Sequence, residues 1–297
     1  MPGNSSRNTF RNHRREIRSL KTAIDRNVAE SLKIVRTYSQ LKPQVAVILG
    51  SGLGAFADTL DRKIKIPTSE IPHYPHSTVQ GHKGFLVFGK LADKDILAVQ
   101  GRTHYYEGHD IRDVAYVVRL MAEIGVRFLL VTNAAGGVNP RFQPGDLMII
   151  ADHINFLFRN PLRGAVVDDE SRWTDMSDAY DREAVRLLEN IGTELGIPLK
   201  KGVLFVSTGP TYETAAEVQM ARRFGADAVS MSTVPEVLVA KARGMKVAGI
   251  SCITNLATGI SKVHLSHREV TEIANQVREK FQMLVREMLM RVAGSKL

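Results

Sequence analysis

The sequence predicts one α/β domain with a central mixed β-sheet flanked by helices, and three observations carry that prediction. Short β-rich runs alternate with longer segments whose apolar residues recur at helical spacing, the pattern of a largely parallel or mixed sheet covered by helices. No internal repeat or low-complexity linker divides the 297 residues, a length sufficient to bury a substantial core in one unit. The conspicuous polar and glycine-rich motifs fall after the predicted strands, where open α/β sheets gather their ligands.

The alternation opens with the apolar run at 45–49, VAVIL, followed by strands at 85–88 and 95–99 and a helix over 111–124. Strands at 128–131 and 147–150 come next, then a helix over 182–195 and a strand at 202–206. A helix over 214–224, a two-residue strand at 228–229, a helix over 235–243 and a strand at 247–250 lead to a last helix over 267–292, long enough to pack across the whole domain. The stretch 66–72 holds two prolines and is not assigned to a strand. Residues 1–27 are set apart as a basic N-terminal extension running into a solvated helix, and 28–297 as the single domain.

Composition excludes several classes of function. Hydrophobic residues make up 44% and charged residues 24%, and no apolar stretch approaches the ~20 residues of a membrane-spanning helix. Cys252 is the single cysteine and lies in an apolar run, so it reads as a buried, inert thiol in a reducing compartment. The net charge of +9 owes much to arginines and lysines in the first forty residues. Without them the body is mildly basic, its aromatics are scattered, and no nucleic-acid-binding motif is present. A small anion such as phosphate is the better match. The Arg-rich start has no secretory apolar core, and a transit-peptide reading stays open beside that of a plain extension. The terminal Ser295-Lys296-Leu297 would be a peroxisomal address only in a eukaryotic host.

Four motifs carry the chemistry. Gly50-Ser51-Gly52-Leu53-Gly54 fits part of a dinucleotide fingerprint, but the acidic partner expected about twenty residues on has only Glu70, within the proline-containing stretch, to fill it. Phosphate binding by exposed amides and the Ser51 hydroxyl is the plainer use. In Gly101-Arg102-Thr103-His104-Tyr105-Tyr106-Glu107, Arg102 and His104 project to one side of an extended chain. Arg102 suits a paired contact with phosphate, His104 adds a donor, and Glu107 can hold the imidazole in place. Asn133-Ala134-Ala135-Gly136-Gly137 reads as a nest of small residues whose amides reach an anion or a flat base. The fourth set joins Gly209-Pro210-Thr211-Tyr212-Glu213-Thr214, Ser230-Met231-Ser232-Thr233-Val234-Pro235-Glu236 and Thr254-Asn255. Its hydroxyls, sulfur, aromatic face, carboxylate and carboxamide suit a neutral planar nucleobase. The histidines His73, His76, His82, His264 and His267 match no zinc spacing, and there is neither a G-x-S-x-G elbow nor a Walker lysine.

Taken in order, these motifs, with Gly81-His82 and Asn160-Pro161-Leu162-Arg163-Gly164, strongly resemble the trimeric purine nucleoside phosphorylases over roughly residues 30 to 292. The resemblance implies that family's fold and phosphorolysis of inosine, guanosine and their deoxy forms to free base and pentose 1-phosphate, as in purine salvage. By motif match, Ser51, Arg102, His104, the Ala134 amide and Ser232 would hold phosphate. Tyr106, Met231 and His267 would line the sugar, Tyr212 would cover the base, and Glu213 would accept from its N1–H edge. Asn255 would bond N7 and O6, and Asn255, Glu213 and His104 form the expected catalytic set. The resemblance further implies no cofactor beyond phosphate as co-substrate, no nucleic-acid or membrane partner, a homotrimer and a cytoplasmic location. Tyr212 stands where the animal members commonly have phenylalanine, and the segment 152–159 is shorter, leaving Phe158 as the aromatic expected to cross into a neighbour's sugar pocket. Xanthosine and methylthioadenosine phosphorylases and a non-catalytic nucleoside sensor are the competing readings. His267 as partner of a 5′-hydroxyl and Asn255 argue against methylthioadenosine, and a sensor has no need of a donor that activates N7.

Overall fold

The computed structural model describes residues 24–79, 82–164, 172–261 and 267–295, with backbone alone at 267–268. Its strands are β1 (Val45–Leu49), β2 (Asp61–Pro67), β3 (Phe85–Leu91), β4 (Lys94–Gln100), β5 (Phe128–Gly137), β6 (Leu147–Asn155), β7 (Leu199–Val206), β8 (Ala228–Ser230) and β9 (Lys246–Leu256). The helices are α1 (24–38), α2 (Ile111–Val114), α3 (Tyr116–Ile124), α4 (Arg182–Glu194), α5 (Ala215–Arg223), α6 (Val234–Ala242), α7 (His267–Gln276) and α8 (Arg278–Gly294).

The nine strands form one mixed sheet in the order β2-β3-β4-β1-β5-β8-β7-β6-β9, and β9 returns to pair with β5. Strands β5, β8, β7, β6 and β9 therefore close into a ring, from which β1, β4, β3 and β2 extend as an arm. The longest seam of the ring is the parallel β5–β9 ladder, in register from Phe128↔Lys246 to Gly137↔Leu256 with one bulge at Ala135/Gly136.

Strand β1 shows why such a short segment is a strand at all. Each of its five residues is fully buried. Ala46 and Ile48 enter the core on the side of α1, α3 and α6, while Val45, Val47 and Leu49 enter the core on the side of α4 and α8. Period-2 alternation with both faces covered is what a continuous apolar run supplies. Each large side chain so buried stabilises the fold by about 1.5–3 kcal/mol.

Several elements differ from the sequence reading. Strand β2, absent from it, reads DRKIKIP and buries only Ile66 fully; its charged residues and terminal proline belong to a sheet edge. Helix α1 is not solvated on all sides: Val28, Ser31 and Val35 are buried, and the Ser31 hydroxyl reaches the Pro72 carbonyl and the Tyr116 hydroxyl. The helix expected over 111–124 is interrupted at Ala115, and that over 267–292 at Val277. Nothing in the apolar periodicity marks either break. Finally, 133–137 is not a turn or nest but the second half of β5, and Thr254 and Asn255 lie inside β9. Pairing between these strands outcompetes the local turn tendency of their small residues.

Candidate functional site

A cleft of about 400 Å³ opens where the carboxyl ends of β1, β4, β7, β8 and β9 meet the second half of β5. At this point β5 exchanges β1 for β8 as its neighbour: β1 pairs it through Val131, and β8 takes over at Gly136 and Gly137. Ser51, Arg102, His104, Tyr106, Ala134, Tyr212, Glu213, Met231, Ser232 and Asn255 all line the cleft. Of the residues expected to contact ligand within one subunit only His267 is left, and its side chain lies outside the described residues; it opens α7, whose Val270 borders the cleft.

One end of the cleft is built to receive an anion. Gly50 packs so tightly against β5 that a Cβ there would lie 2.7 Å from the Asn133 Cα, and its amide donates to the Thr132 hydroxyl at 3.1 Å. Only glycine allows this approach, which brings Ser51 beside Asn133 and Ala134. Arg102, 4% exposed, donates from Nη1 to Ser232 Oγ at 2.8 Å and Thr233 Oγ1 at 3.1 Å. Behind it, Glu236, also buried, places Oε1 3.2 Å from Arg102 Nε. Burial pushes the Arg102 pKa down and the Glu236 carboxylate opposes it; the guanidinium remains charged. Its Nη2 is buried without a hydrogen-bond partner among the described residues, as is Asn133 Oδ1. Buried polar groups of this kind are normally satisfied, and a bound oxyanion would satisfy the first.

His104 flanks Arg102. Its backbone N–H and ring Nδ1 both reach Glu107 Oε1, at 2.7 and 3.0 Å, as the sequence led us to expect. Burial lowers the His104 pKa, with the Glu107 hydrogen bond opposing it, so the ring is neutral near pH 7. A neutral ring donating from Nδ1 turns Nε2 into an acceptor, where the sequence had suggested a donor to phosphate. Burial pushes Glu107 up, but hydrogen bonds from His104 and from the Thr78 amide and hydroxyl outweigh it and hold the carboxyl at about 2. His82 stacks on His104 at 5.2 Å, and burial, with repulsion from His104, lowers its pKa to about 4. Its Nδ1 lies 2.7 Å from the Arg102 carbonyl and its Nε2 3.1 Å from the Ser51 hydroxyl, so the ring ties the two anion-site segments together.

The other end presents apolar faces and a few directed polar groups. Tyr106 stacks on His104 at 4.7 Å, and burial pushes its phenol up to about 12, so it is a proton donor at neutral pH. Gly209, at φ 63°, leaves room for Met231 and Tyr106: a Cβ on it would lie 2.5 Å from Met231 Sδ and 3.1 Å from Tyr106 Cδ1. Ser207 donates to Glu213 Oε1 at 2.7 Å, leaving the rest of that carboxylate free to accept. Asn255, 6% exposed, is fixed on both sides. Its Nδ2 donates to the Leu256 carbonyl at 3.1 Å, and its Oδ1 accepts from the Thr254 hydroxyl at 3.0 Å. A carbonyl can only accept, which settles which amide atom is nitrogen and leaves its second N–H unspent. Gly136 makes space for this amide, since a Cβ there would lie 3.2 Å from Nδ2.

Sequence reasoning placed Thr233, Glu236 and Thr254 in the nucleobase set and quoted His82 in a motif but gave none of them an individual role, and it left out Ser207. Each adjoins or lies within a quoted motif, but each acts on another side chain, through contacts that only the fold creates. Phe158 is 72% exposed at φ 50° and packs on Phe156, away from the cleft lining. Among the described residues there is no cluster of potential metal ligands and no helix long and apolar enough to cross a membrane.

The family model of the phosphorylase superfamily matches residues 44–290 of the chain. Purine nucleoside phosphorylase 1 of Bacillus subtilis is 51% identical over 245 residues, covering 82% of this chain and 90% of that protein. Purine nucleoside phosphorylase of Rattus norvegicus is 45% identical over 263 residues, covering 84% and 90%. Among solved structures, Schistosoma mansoni purine nucleoside phosphorylase in complex with inosine superposes with a TM-score of 0.84 at 35% identity, covering 89% of this chain and 95% of that one.

Proposed function

The chain belongs to the phosphorylase superfamily and, within it, to the purine nucleoside phosphorylases, and from that premise we propose how its residues divide the reaction. It is a pentosyltransferase: an oxygen of inorganic phosphate forms a bond to C1′ of a purine nucleoside as the C1′–N9 bond breaks, its electron pair leaving with the base. The observation that carries the assignment of roles is that Arg102 and Asn255 face one cleft.

Arg102, Ser51, Ser232 and the Ala134 amide hold the phosphate, and the neutral Nε2 of His104 accepts from a protonated phosphate oxygen. Glu107 keeps that tautomer in place. Tyr106, Met231 and His267 line the sugar, Tyr212 covers the base, and Glu213 accepts from N1–H. The unspent N–H of Asn255 points to N7. As C1′ leaves nitrogen, negative charge gathers on the purine and the N7 contact strengthens, so Asn255 stabilises the transition state more than the bound nucleoside. The sugar gains oxocarbenium character, which the fixed phosphate anion stabilises, and positioning replaces a bimolecular encounter. One displacement inverts C1′, with no protein nucleophile and no cofactor.

The carboxamide at 255 favours 6-oxopurines, because its one unspent N–H, shared along the N7/O6 edge, is a donor that an ionised aspartate could not supply. Inosine and guanosine are therefore the preferred substrates over adenosine, and the enzyme works as a cytoplasmic homotrimer of the domain 28–297, with 1–27 as an extension. The deciding assay follows hypoxanthine release from inosine with and without phosphate. Release that does not require phosphate, or adenosine cleaved at least as efficiently as inosine, would overturn the proposal.

A further inference from the structure

Glu236 lies in the first turn of α6 and is 1% exposed, yet it does not line the cleft. Its Oε1 faces Arg102 Nε at 3.2 Å, but neither that Nε nor the second carboxylate oxygen has a hydrogen-bond partner among the described residues. A carboxylate that braces a guanidinium does so through paired hydrogen bonds, and here that geometry is missing. The direction of Arg102 is already fixed from its other side, where Nη1 donates to Ser232 and Thr233. What Glu236 brings to Arg102 is chiefly its charge.

An acid buried behind the cation that holds an anion works against binding. Arg102 is the only arginine or lysine among the described residues that line the cleft. The rings of His104 and His82 beside it are neutral, and Glu107, bonded to His104, is a second carboxylate. The anion end therefore meets phosphate with no net positive charge, and its grip rests on directed hydrogen bonds. Phosphorolysis gives this arrangement a use. As the attacking oxygen bonds to C1′, phosphate gives up charge to a sugar whose oxocarbenium character that same charge stabilises. An unopposed guanidinium would favour the full anion of the ground state over the transition state.

We propose that Glu236 is a positioning residue that acts by charge through Arg102, offsetting the guanidinium so that phosphate is held in a fixed direction without being held too tightly to react. The inference rests on the phosphorolysis reading of the cleft. It gives a buried acid outside the cleft control over phosphate affinity.

The test compares wild type with Glu236→Gln, which keeps the shape of the side chain and removes its charge. The calorimetric Kd for inorganic phosphate should fall at least about fivefold, since a unit charge one guanidinium away acts strongly on an anion even at an effective dielectric of about 20. With it, kcat for inosine at saturating phosphate should fall at least about fivefold, the mark of strengthened ground-state binding. A carboxylate that merely held Arg102 in place would give the opposite sign. Weaker phosphate binding in the variant, or an unchanged Kd, would overturn the inference, as would tighter binding with kcat unchanged. Because breaking a buried ion pair can prevent folding, wild type is titrated in parallel. Its phosphate Kd should change less than about threefold between about 20 and 300 mM sodium chloride, as befits an anion site whose charge is cancelled; a greater loss of affinity would reveal an uncompensated cation and overturn the inference. Wild-type protein that binds phosphate without releasing hypoxanthine from inosine would refute the activity reading instead, and the phosphate constants would still judge Glu236.

Discussion

Arg102 is held by the protein along one side of its guanidinium, through Glu236, Ser232 and Thr233, while Nη2 has no hydrogen-bond partner among the described residues. A cation so restrained presents a fixed direction to an incoming anion and loses little freedom on binding it. Asn255 is restrained in the same manner by Thr254 and the Leu256 carbonyl. Asn255→Ala should lower kcat about 10²- to 10³-fold, the usual cost of deleting a donor that acts on developing charge, with a much smaller change in inosine KM; a loss confined to KM would remove Asn255 from the transition state. Asn255→Asp should shift preference away from inosine toward adenosine in the same assay. Glu107 offers a test through pH. Its folded pKa of about 2 lies below the ordinary 4.5, so its contribution to stability is fully present above about pH 4.5 and is lost as pH falls through about 2. The melting temperatures of wild type and Glu107→Gln should therefore differ most near neutrality and converge in acid, and a gap that widens in acid would contradict the assignment. Sequence made the partners that touch ligand legible, because those residue types are unusual at strand ends. It gave no role to Glu236 or Thr254, whose value lies in facing another side chain.

At the scale of the element, the site depends on how closely β1 and β5 approach where β1 ends. Gly50→Ala would set a Cβ 2.7 Å from the Asn133 Cα and 2.9 Å from the Thr132 carbonyl oxygen, both of them backbone atoms that cannot step aside. The substitution should raise the KM for phosphate at least tenfold and lower thermal stability by about 1–3 kcal/mol, as overpacking does. Unchanged phosphate kinetics would mean that the Ser51 turn is not part of the anion site. Strands buried on both faces, such as β1, could be read directly from their apolar runs. Strand β2 could not, since an edge strand with polar residues and a proline has little that separates it from a loop. The true extents of β5 and β9 were hidden for a different reason: Asn133 to Gly137 and Thr254 to Asn255 favour turns locally, and only their mutual ladder makes them strands.

For the whole molecule, the proposed trimer gives a direct measurement. Sedimentation equilibrium should return a mass near three times 32.9 kDa. The exposed Phe158 ring should behave as an inter-subunit contact, with Phe158→Ala raising nucleoside KM several-fold while phosphate KM stays the same. A monomer with full activity would remove both proposals. That the ends of distant strands assemble one site was legible from sequence, because polar motifs after successive strands have one place to converge. How the strands close was not, since ring closure depends on β9 finding both β5 and β6, a pairing to which no local pattern points.

That closure has a mechanical consequence. A pocket between two lobes can gape by bending a hinge, but here Ala134 and Asn255 sit on a continuous hoop of hydrogen-bonded strands, and β1 and β4, which Ser51 and Arg102 follow, join it through β5, the shared stave. Traffic of substrate and product then falls to the segments around the mouth, while the frame keeps its shape. Amide deuteration should accordingly leave the protons of β5 and β9 among the slowest to exchange in empty and occupied enzyme alike.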